Sequence, residues 1–158
     1  MSGGAPKRPE TPEINVRNLQ RKVRIDLPAL QMFAGRALTV CLAHRPSHKT
    51  QLRKLHEISI LLISDSRMAA LHHRFLKKSG PTDVITFDHG EIVISAETAR
   101  KHARVFNSSL LPETKLYIIH GLLHLHGFDD RTKADARRME KMQNKVLKQI
   151  SGAPGRGD

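Results

Sequence analysis

The sequence predicts a single α+β domain (mixed α/β), in which a mixed sheet of about four strands packs with about five helices. Its length of 158 residues suits one domain with one hydrophobic core. Short β-branched segments alternate with longer segments of helical periodicity. Residues 1–12 and 151–158 are rich in Gly, Pro and charged residues, so we expect a disordered N-terminal tail and a flexible C-terminal tail around a domain at 13–150.

The first half of the chain is predicted to begin with a strand at 14–25 and a helix at 26–44. The segment INVRNLQRKVRI alternates weakly, and the next segment has apolar residues at helical spacing behind Asp26, a suitable N-cap. A polar loop at 44–57 leads to EISILLIS at 57–64, whose short β-branched run is typical of a buried strand.

The middle of the chain is predicted to contain a helix and then a hairpin. The helix is capped by Asp65 or Ser66, runs to about Lys77 and is broken by the Ser-Gly-Pro that follows. Strands are predicted at 82–87 (TDVITF) and 91–96 (EIVISA). Because only the turn Asp-His-Gly separates these strands, we expect them to pair.

Three helices complete the prediction, at 97–106, 112–126 and 131–150. The second helix has Pro112 at its start and Gly127 just past its end, which are favoured positions for these two residue types. The third helix is basic and amphipathic, with an apolar stripe formed by Met139, Met142, Val146 and Ile150.

The charge of the chain favours a polyanionic partner. Lys and Arg number 27 against 15 Asp and Glu, which gives a net charge of +12. Nucleic acid is the first candidate, bound mainly through salt-dependent electrostatic contacts because aromatic residues make up only 4%. A membrane partner is not expected, since no apolar run can span a bilayer and no basic segment carries a Trp/Phe-rich face. A charge that serves only solubility is the alternative.

The expected compartment is the cytoplasm. The N-terminal segment MSGGAPKRPETPE has no apolar stretch of the kind that a secretory signal contains. Cys41 is the single cysteine, so an internal disulfide is excluded and a reducing compartment fits. We expect Cys41 to be a small core residue within ALTVCLAH.

The segment HGLLHLHGFDD at 120–130 predicts a metal site. His120 and His124 are four residues apart, so their imidazoles share one helix face, and the apolar neighbours predict that this helix is buried. Gly127 can turn the chain back sharply, which brings Asp130 within reach as a third ligand. Three protein ligands with an open fourth position form the pattern of a catalytic zinc site.

The spacing of this segment is zincin-like, but we do not expect peptidase chemistry. H-x-x-x-H-x-x-G-x-x-D follows the metzincin pattern with Asp in the last place. Gly121 stands where those enzymes have the glutamate that acts as general base. His44 and His48 have the same spacing, but Pro46 lies between them in a polar loop, and we do not expect this pair to form a site.

HGLLHLHGFDD also resembles the H-G-x-L-H-L-x-G-Y-D-H signature of the YbeY family of bacterial rRNA maturation endoribonucleases. PTDVITF and GEIVIS resemble the family's P-T-D-V-L-S-F and G-D-I-x-I-S segments, and LHHRFLKK stands where the family has a helix of the L-N-x-x-Y-R kind. The resemblance extends over about 57–150 and is strongest over 81–130. Two separate motifs in the family's order make it specific.

The resemblance implies a four-stranded mixed sheet, one zinc ion per chain and cleavage of single-stranded RNA. It also implies 3′-end maturation of small-subunit rRNA and ribosome quality control, with the small ribosomal subunit as partner. By position, His120 and His124 are the first two metal ligands. Asp130 stands where the family usually has a third His, and a carboxylate there lowers the charge on the ion and also suits Mn²⁺ or Mg²⁺.

The family also has an arginine before P-T-D-V, and its usual position is flanked here by Arg74, Lys77 and Lys78. We expect Arg74 to supply positive charge near the scissile phosphate, and Lys77 and Lys78 to contact RNA. A solvated basic helix end is the alternative. We expect His126 to point away from the metal and Asp129 to act as an outer group of the site.

Two other functions stay open. In the first, the metal is structural, and the chain is a ribosome-assembly or RNA-binding factor that cuts nothing. Whether the metal is catalytic or structural, the basic C-terminal helix either docks on rRNA or is merely solvated on its outer face; the cations concerned are Arg131, Lys133, Arg137, Arg138, Lys141, Lys145 and Lys148. In the second, the chain is a metal-dependent hydrolase of another substrate, although Gly121 argues against a peptidase. A DNA-binding protein is not expected, because no helix-turn-helix or zinc-finger pattern occurs.

Overall fold

The computed structural model describes residues 11–76 and 83–152. The expected break at 79–81 and most of both expected tails lie outside the described residues, whereas Pro12, at the end of the expected N-terminal tail, is buried. The helices and strands are, in chain order, β1 (Glu13–Asn18), α1 (Leu27–Ala43), β2 (Glu57–Ile63), α2 (Asp65–Leu76), β3 (Val84–Phe87), β4 (Glu91–Ser95), α3 (Ala96–Val105), α4 (Leu110–Leu125) and α5 (Lys133–Ser151).

The four strands form one mixed sheet in the order β1-β2-β4-β3. β1 pairs with β2, and β2 with β4, in parallel, while β3 and β4 form the predicted antiparallel hairpin. With the five helices, this sheet confirms the predicted mixed α+β fold. β3 lies at one edge of this sheet, so among the described residues it has a neighbouring strand on one side only.

The two faces of the sheet carry separate clusters of apolar side chains. Ile60 and Ile92 point to the face covered by α1 and α4, on which α5 packs in turn, and the main hydrophobic core lies here. Ile63 and Val93 point to the other face, where they pack with Met68 of α2. The alternation of side chains along each strand therefore puts α2 and α4 on opposite faces.

Several predicted core residues are confirmed. Cys41 is fully buried in α1, and burial raises the pKa of its thiol to about 12. In the apolar stripe of α5, Met139 and Val146 are buried, and Met142 and Ile150 pack against the main core. No helix in the described ranges is both long enough and apolar enough to cross a membrane.

Two element boundaries differ from the prediction because of side-chain hydrogen bonds. β1 ends at Asn18, well before the predicted end, since the side-chain amide of Gln20 donates to the Val23 carbonyl at 2.7 Å and accepts from the Val23 N–H at 2.8 Å. The N-cap of α2 is Ser64, whose hydroxyl accepts from the Arg67 N–H at 3.3 Å. The prediction that one of the two following residues caps this helix is therefore wrong.

Candidate metal centre

The centre is built on α4, a helix that contacts both the sheet and the other helices of its face. It begins at Leu110, two residues before Pro112. Gly121 faces Ile92 of β4, and a Cβ at this position would lie 2.7 Å from Cγ2 of Ile92. The close approach of helix and sheet therefore requires glycine, and the position that carries the general base in metallopeptidases has no side chain.

The structure brings His120, His124 and Asp130 together. The Nε2 atoms of the two histidines are 2.9 Å apart, and their rings are nearly perpendicular at 84°. Oδ2 of Asp130 lies 3.4 Å from Nε2 of His120 and 3.7 Å from Nε2 of His124. Within the part of the chain that the structure describes, this is the one group of three side chains that could share an ion.

The outer nitrogens of both imidazoles are engaged in hydrogen bonds. Nδ1 of His120 donates to the side-chain carbonyl of Gln143 on α5, and Nδ1 of His124 donates to the backbone carbonyl of Phe128 at 3.0 Å. In the neutral rings the proton therefore sits on Nδ1, and each Nε2 presents a lone pair. Two lone pairs and a carboxylate oxygen that converge in this way fit a divalent metal ion.

The surroundings of His124 favour its neutral form. Burial lowers the pKa of His124, and the adjacent His120 ring lowers it further, while the Asp130 carboxylate acts in the opposite direction. A protonated imidazole has no free lone pair, so the lowered pKa keeps His124 in the form that binds metal at neutral pH.

Gly127 directs the chain from α4 to the third side chain of the centre. Its φ of 90° lies in the left-handed region, and the next N–H, of Phe128, donates back into the last turn of the helix at 2.9 Å. A Cβ on Gly127 would lie 2.8 Å from the backbone nitrogen of His48, so the loop before β2 packs directly on this turn. The Asp130 N–H then donates to the Asp129 carboxylate at 2.8 Å, which holds the ligand-bearing segment in place.

His126 points away from the centre, as the helix geometry predicts, and it fixes the loop that precedes β2. Its fully buried ring donates from Nε2 to the His44 carbonyl at 2.7 Å, and its Nδ1 accepts from the Thr50 hydroxyl at 2.8 Å. Burial lowers the pKa of this imidazole. His126 thus positions the chain segment on which His48 lies.

Two cavities meet at the centre, and both are lined by His120 and Asp130. The larger cavity, here called the cleft, has a volume of about 590 Å³ and is also lined by His124 and by residues of β3. Its other polar lining residues are His48, Asp88, Asp129 and Arg131. The smaller one, here called the acidic pocket, has a volume of about 360 Å³, and three of its lining side chains are carboxylates: Asp83, Glu113 and Glu140. Both cavities are lined by carboxylates, but of the two only the cleft is lined by an arginine, Arg131, so the cleft is the more favourable approach for a polyanion.

The structure does not bring all of the predicted site residues to the centre. Arg74 lies in the last turn of α2, across the sheet from α4, and its guanidinium lies 5.4 Å from the centroid of the Phe75 ring. It lines neither the cleft nor the acidic pocket. Lys77 and Lys78 lie outside the described residues. The roles of these three cations therefore stay predictions.

Three residues of the centre were not assigned to it from sequence. Gln143 lies beside the apolar stripe of α5. A polar residue next to a core-facing stripe could have indicated a hydrogen-bond partner for a buried group. Arg131 lines the cleft and pairs with Asp129 at 3.4 Å between Nε and Oδ2. His48 also lines the cleft, whereas His44 bonds through Nε2 to the Gln149 side chain at 2.6 Å, so the two histidines share no site.

Comparison of the sequence with protein families and with curated proteins identifies the same family in each case. A family model described as Endoribonuclease YbeY matches residues 15–151. A curated relative of that name from Acidothermus cellulolyticus is 30% identical over 135 residues, which cover 68% of this chain and 82% of the relative. Another, from Parabacteroides distasonis, is 31% identical over 130 residues, which cover 78% of this chain and 88% of the relative.

The fold also matches a solved structure. The solution structure of a protein from Thermotoga maritima superposes with a TM-score of 0.57 at 21% sequence identity. The match covers 92% of this chain and 99% of that one. At this identity the likeness concerns the fold alone.

Proposed function

This chain belongs to the endoribonuclease YbeY family, and from that membership we propose that it is a metal-dependent endoribonuclease that cuts single-stranded RNA. We propose further that it acts in the cytoplasm on the small ribosomal subunit, in late 3′-end maturation of the rRNA and in ribosome quality control. An endoribonuclease hydrolyses internal phosphodiester bonds, so the proposal requires an RNA strand in the cleft with one phosphate beside His120, His124 and Asp130.

The charge of the chain supports an RNA substrate. A net charge of +12 on 158 residues attracts polyanions over distances of about a Debye length, roughly 8–10 Å at physiological salt. Of the two cavities at the centre, the cleft has an arginine in its lining and the acidic pocket has none, which favours the cleft as the approach for RNA. A single strand can also bend its backbone into a cleft and splay its bases, which a rigid A-form duplex does not do.

We propose that His120, His124 and Asp130 hold one zinc ion per chain. Bound to these residues, zinc would polarise a phosphate oxygen and lower the pKa of a water molecule. The carboxylate of Asp130 also suits Mn²⁺ or Mg²⁺, so the metal content of the native protein decides between them. Gln143 and the Phe128 carbonyl keep the two imidazoles oriented whichever metal is present.

Side chains along the cleft provide the other groups that phosphodiester hydrolysis needs. Arg131, which pairs with Asp129 and lines the cleft, would stabilise the negative charge that develops on the phosphate. The imidazole of His48 can accept or donate a proton there. Thr86 also lines the cleft, and its buried hydroxyl has no hydrogen-bond partner among the described residues.

One observation carries the proposal: three metal-ligand atoms, fixed by outer hydrogen bonds, converge at the edge of an open cleft. The test compares the native protein with His124→Ala, Asp130→Ala and, as a control, His89→Ala, which removes an exposed histidine that pairs with Glu91 outside the centre. Metal content by mass spectrometry and cleavage of a single-stranded RNA are measured on the same samples. We expect about one zinc per native or control chain, and loss of both metal and cleavage in the other two variants.

The same experiment separates the alternatives. If Asp130→Ala retains both metal and cleavage, Asp130 is not the third ligand. If the native protein holds metal but never cuts RNA, the chain is an assembly factor with a structural metal. If it hydrolyses a peptide or another ester and leaves RNA intact, it is a hydrolase of a different class.

A further inference from the structure

A row of five cations lies along the exposed side of α5. Successive members are separated by one, three or four residues, so their side chains fall within one sector of the helix. All five are exposed. The row, here called the basic stripe, consists of Arg137, Arg138, Lys141, Lys145 and Lys148.

The basic stripe is poorly neutralised by the protein itself. Arg138 lies 3.9 Å from Asp135, and the other four members form no ion pair with any described residue. Like charges three or four residues apart on a helix repel each other and destabilise it. The stripe therefore costs folding stability, and an anionic ligand would remove that cost.

One end of the stripe borders a surface groove. The side chains of Arg137, Arg138 and Lys141 surround a cavity of about 260 Å³, and the small side chain of Ala134 leaves its floor open. Two guanidinium groups can each form paired hydrogen bonds with the oxygens of a phosphate, and an ammonium adds a point charge.

The stripe faces away from the metal centre. Gln143, which reaches His120, lies on the opposite side of α5, and Met139 and Val146 are buried in the core between the two sides. A helix is about 10–12 Å across with its side chains. A phosphate on the stripe therefore cannot also be the phosphate beside His120.

We propose that the basic stripe is a docking surface for the phosphate backbone of RNA, separate from the cleft in which cleavage occurs. The inference rests on the proposed function in that the ligand is RNA. The stripe holds a flanking part of a long substrate and so raises the affinity of the enzyme for it, while a short oligonucleotide that fills only the cleft gains nothing from the stripe. A membrane is the less favourable ligand, because the apolar side of α5 is buried in the core and no apolar face remains to enter a lipid surface.

The test uses two variants of equal charge. In the stripe variant, Arg137, Arg138, Lys141 and Lys145 are all changed to Gln, a residue that favours helix. In the control variant, four exposed cations outside α5 are changed to Gln: Arg17, Arg21, Arg36 and Arg104. The probes are a long single-stranded RNA of mixed sequence, a short oligoribonucleotide and vesicles with anionic phosphatidylserine.

We expect the stripe variant to bind the long RNA at least about ten-fold more weakly than the control variant at physiological salt. The logarithm of the association constant decreases with the logarithm of the salt concentration, and this negative slope should become shallower by about 3. Four phosphate contacts are lost, and each contributes about 0.7 to the slope. The catalytic rate constant for the short oligoribonucleotide should equal that of the control. Equal weakening in both variants would overturn the proposal, as would loss of vesicle binding with unchanged RNA binding.

The outcome is also separable from that of the proposed function. Binding of the long RNA is measured in EDTA, where no metal-dependent cleavage occurs. If the native chain cuts no RNA but the stripe variant still loses RNA affinity, the docking surface stands and the endoribonuclease proposal fails. If the chain cuts RNA and both variants bind it equally well, the reverse holds.

Discussion

At the scale of single residues, the hydrogen bonds behind the metal ligands matter as much as the ligands. His120 and His124 each use Nδ1 to donate a hydrogen bond, and this leaves both Nε2 lone pairs directed at the same point as Asp130. Gln143 is the side chain that fixes the first of these rings. An imidazole without such a partner can rotate or change tautomer, and its affinity for metal falls.

Replacing Gln143 with Ala is therefore predicted to weaken zinc binding by about 10–100-fold without removing a ligand. The measurement is a competition titration against a chromogenic chelator. Asn144→Ala is the matched control, because it removes the neighbouring, exposed amide from the same helix. Equal zinc affinity of the two variants would mean that Gln143 does not orient His120.

At the scale of helices and strands, the end of α4 is the element that assembles the centre. Gly127 turns the chain toward Asp130 and also gives room for the backbone of His48, so one glycine serves both the ligand set and the wall of the cleft. His126 then holds the same loop from inside the core. These contacts fix the turn, and the fixed turn places Asp130 next to the two histidines that precede it by six and ten residues.

Gly127→Ala should destabilise the protein by about 1–3 kcal/mol. A positive φ is strained for alanine, and its Cβ would clash with the His48 backbone. Gly35→Ala, within α1, is the control: a Cβ there meets nothing within 4 Å, so we expect about 0.5–1 kcal/mol of added stability. Chemical denaturation measures both changes. A Gly127→Ala variant as stable as the native chain would show that the turn tolerates a side chain.

Asp65 links the start of α2 to the start of α3 and makes stability depend on pH. Burial alone would raise the pKa of its carboxyl, but hydrogen bonds from Ser95, Thr98 and Lys101 outweigh it and lower the pKa. The ionised carboxylate accepts from the Thr98 hydroxyl at 2.7 Å and from the Lys101 ammonium at 3.1 Å. The link should therefore be strong at neutral pH and weak in acid.

The sign of the pH effect follows from the lowered pKa. The stabilisation is complete above the pKa that Asp65 has in the unfolded chain, about 3.9, and it is lost as the pH falls through the lower folded-state pKa. Asp65→Asn should lower the free energy of unfolding at pH 7, and the difference from the native chain should shrink below about pH 4. Denaturation curves at several pH values test this. A difference that stays constant down to pH 3 would contradict it.

At the scale of the whole molecule, the centre joins parts of the chain that are far apart in sequence. His120 and Asp130 frame the end of α4, Gln143 comes from α5, and His48 and Thr86 form the cleft from the loop before β2 and from the edge strand. An ion that binds only this folded arrangement stabilises the whole domain.

Zinc is accordingly predicted to raise the thermal midpoint of the metal-free chain. At 100 times the dissociation constant the gain is about 2.7 kcal/mol, which for a domain of this size is about 5–10 °C. Differential scanning fluorimetry after EDTA treatment and dialysis measures the shift. His124→Ala should show no shift, and a shift of equal size in that variant would place the stabilising ion elsewhere.

Much of this arrangement follows from local sequence. The β-branched runs and helical periodicities predicted all nine elements, and the eleven residues from His120 to Asp130 contain the three ligands because a helix and one turn bring them together. Two element ends were predicted incorrectly although the contacts that fix them are local. Gln20 bonds to Val23 and Ser64 to Arg67, each three residues away, and side-chain hydrogen bonds of this kind do not alter hydrophobic periodicity.

The surroundings of Arg74 depend on the tertiary structure. Strand alternation puts its helix, α2, on the opposite face of the sheet from α4, and its role near the phosphate stays a prediction. Arg131 and His48 line the cleft. Patterns within a few residues report which elements form, since propensity and periodicity act locally. Which side chains meet at the centre depends on strand order and helix packing, and these arise only when the whole core is buried.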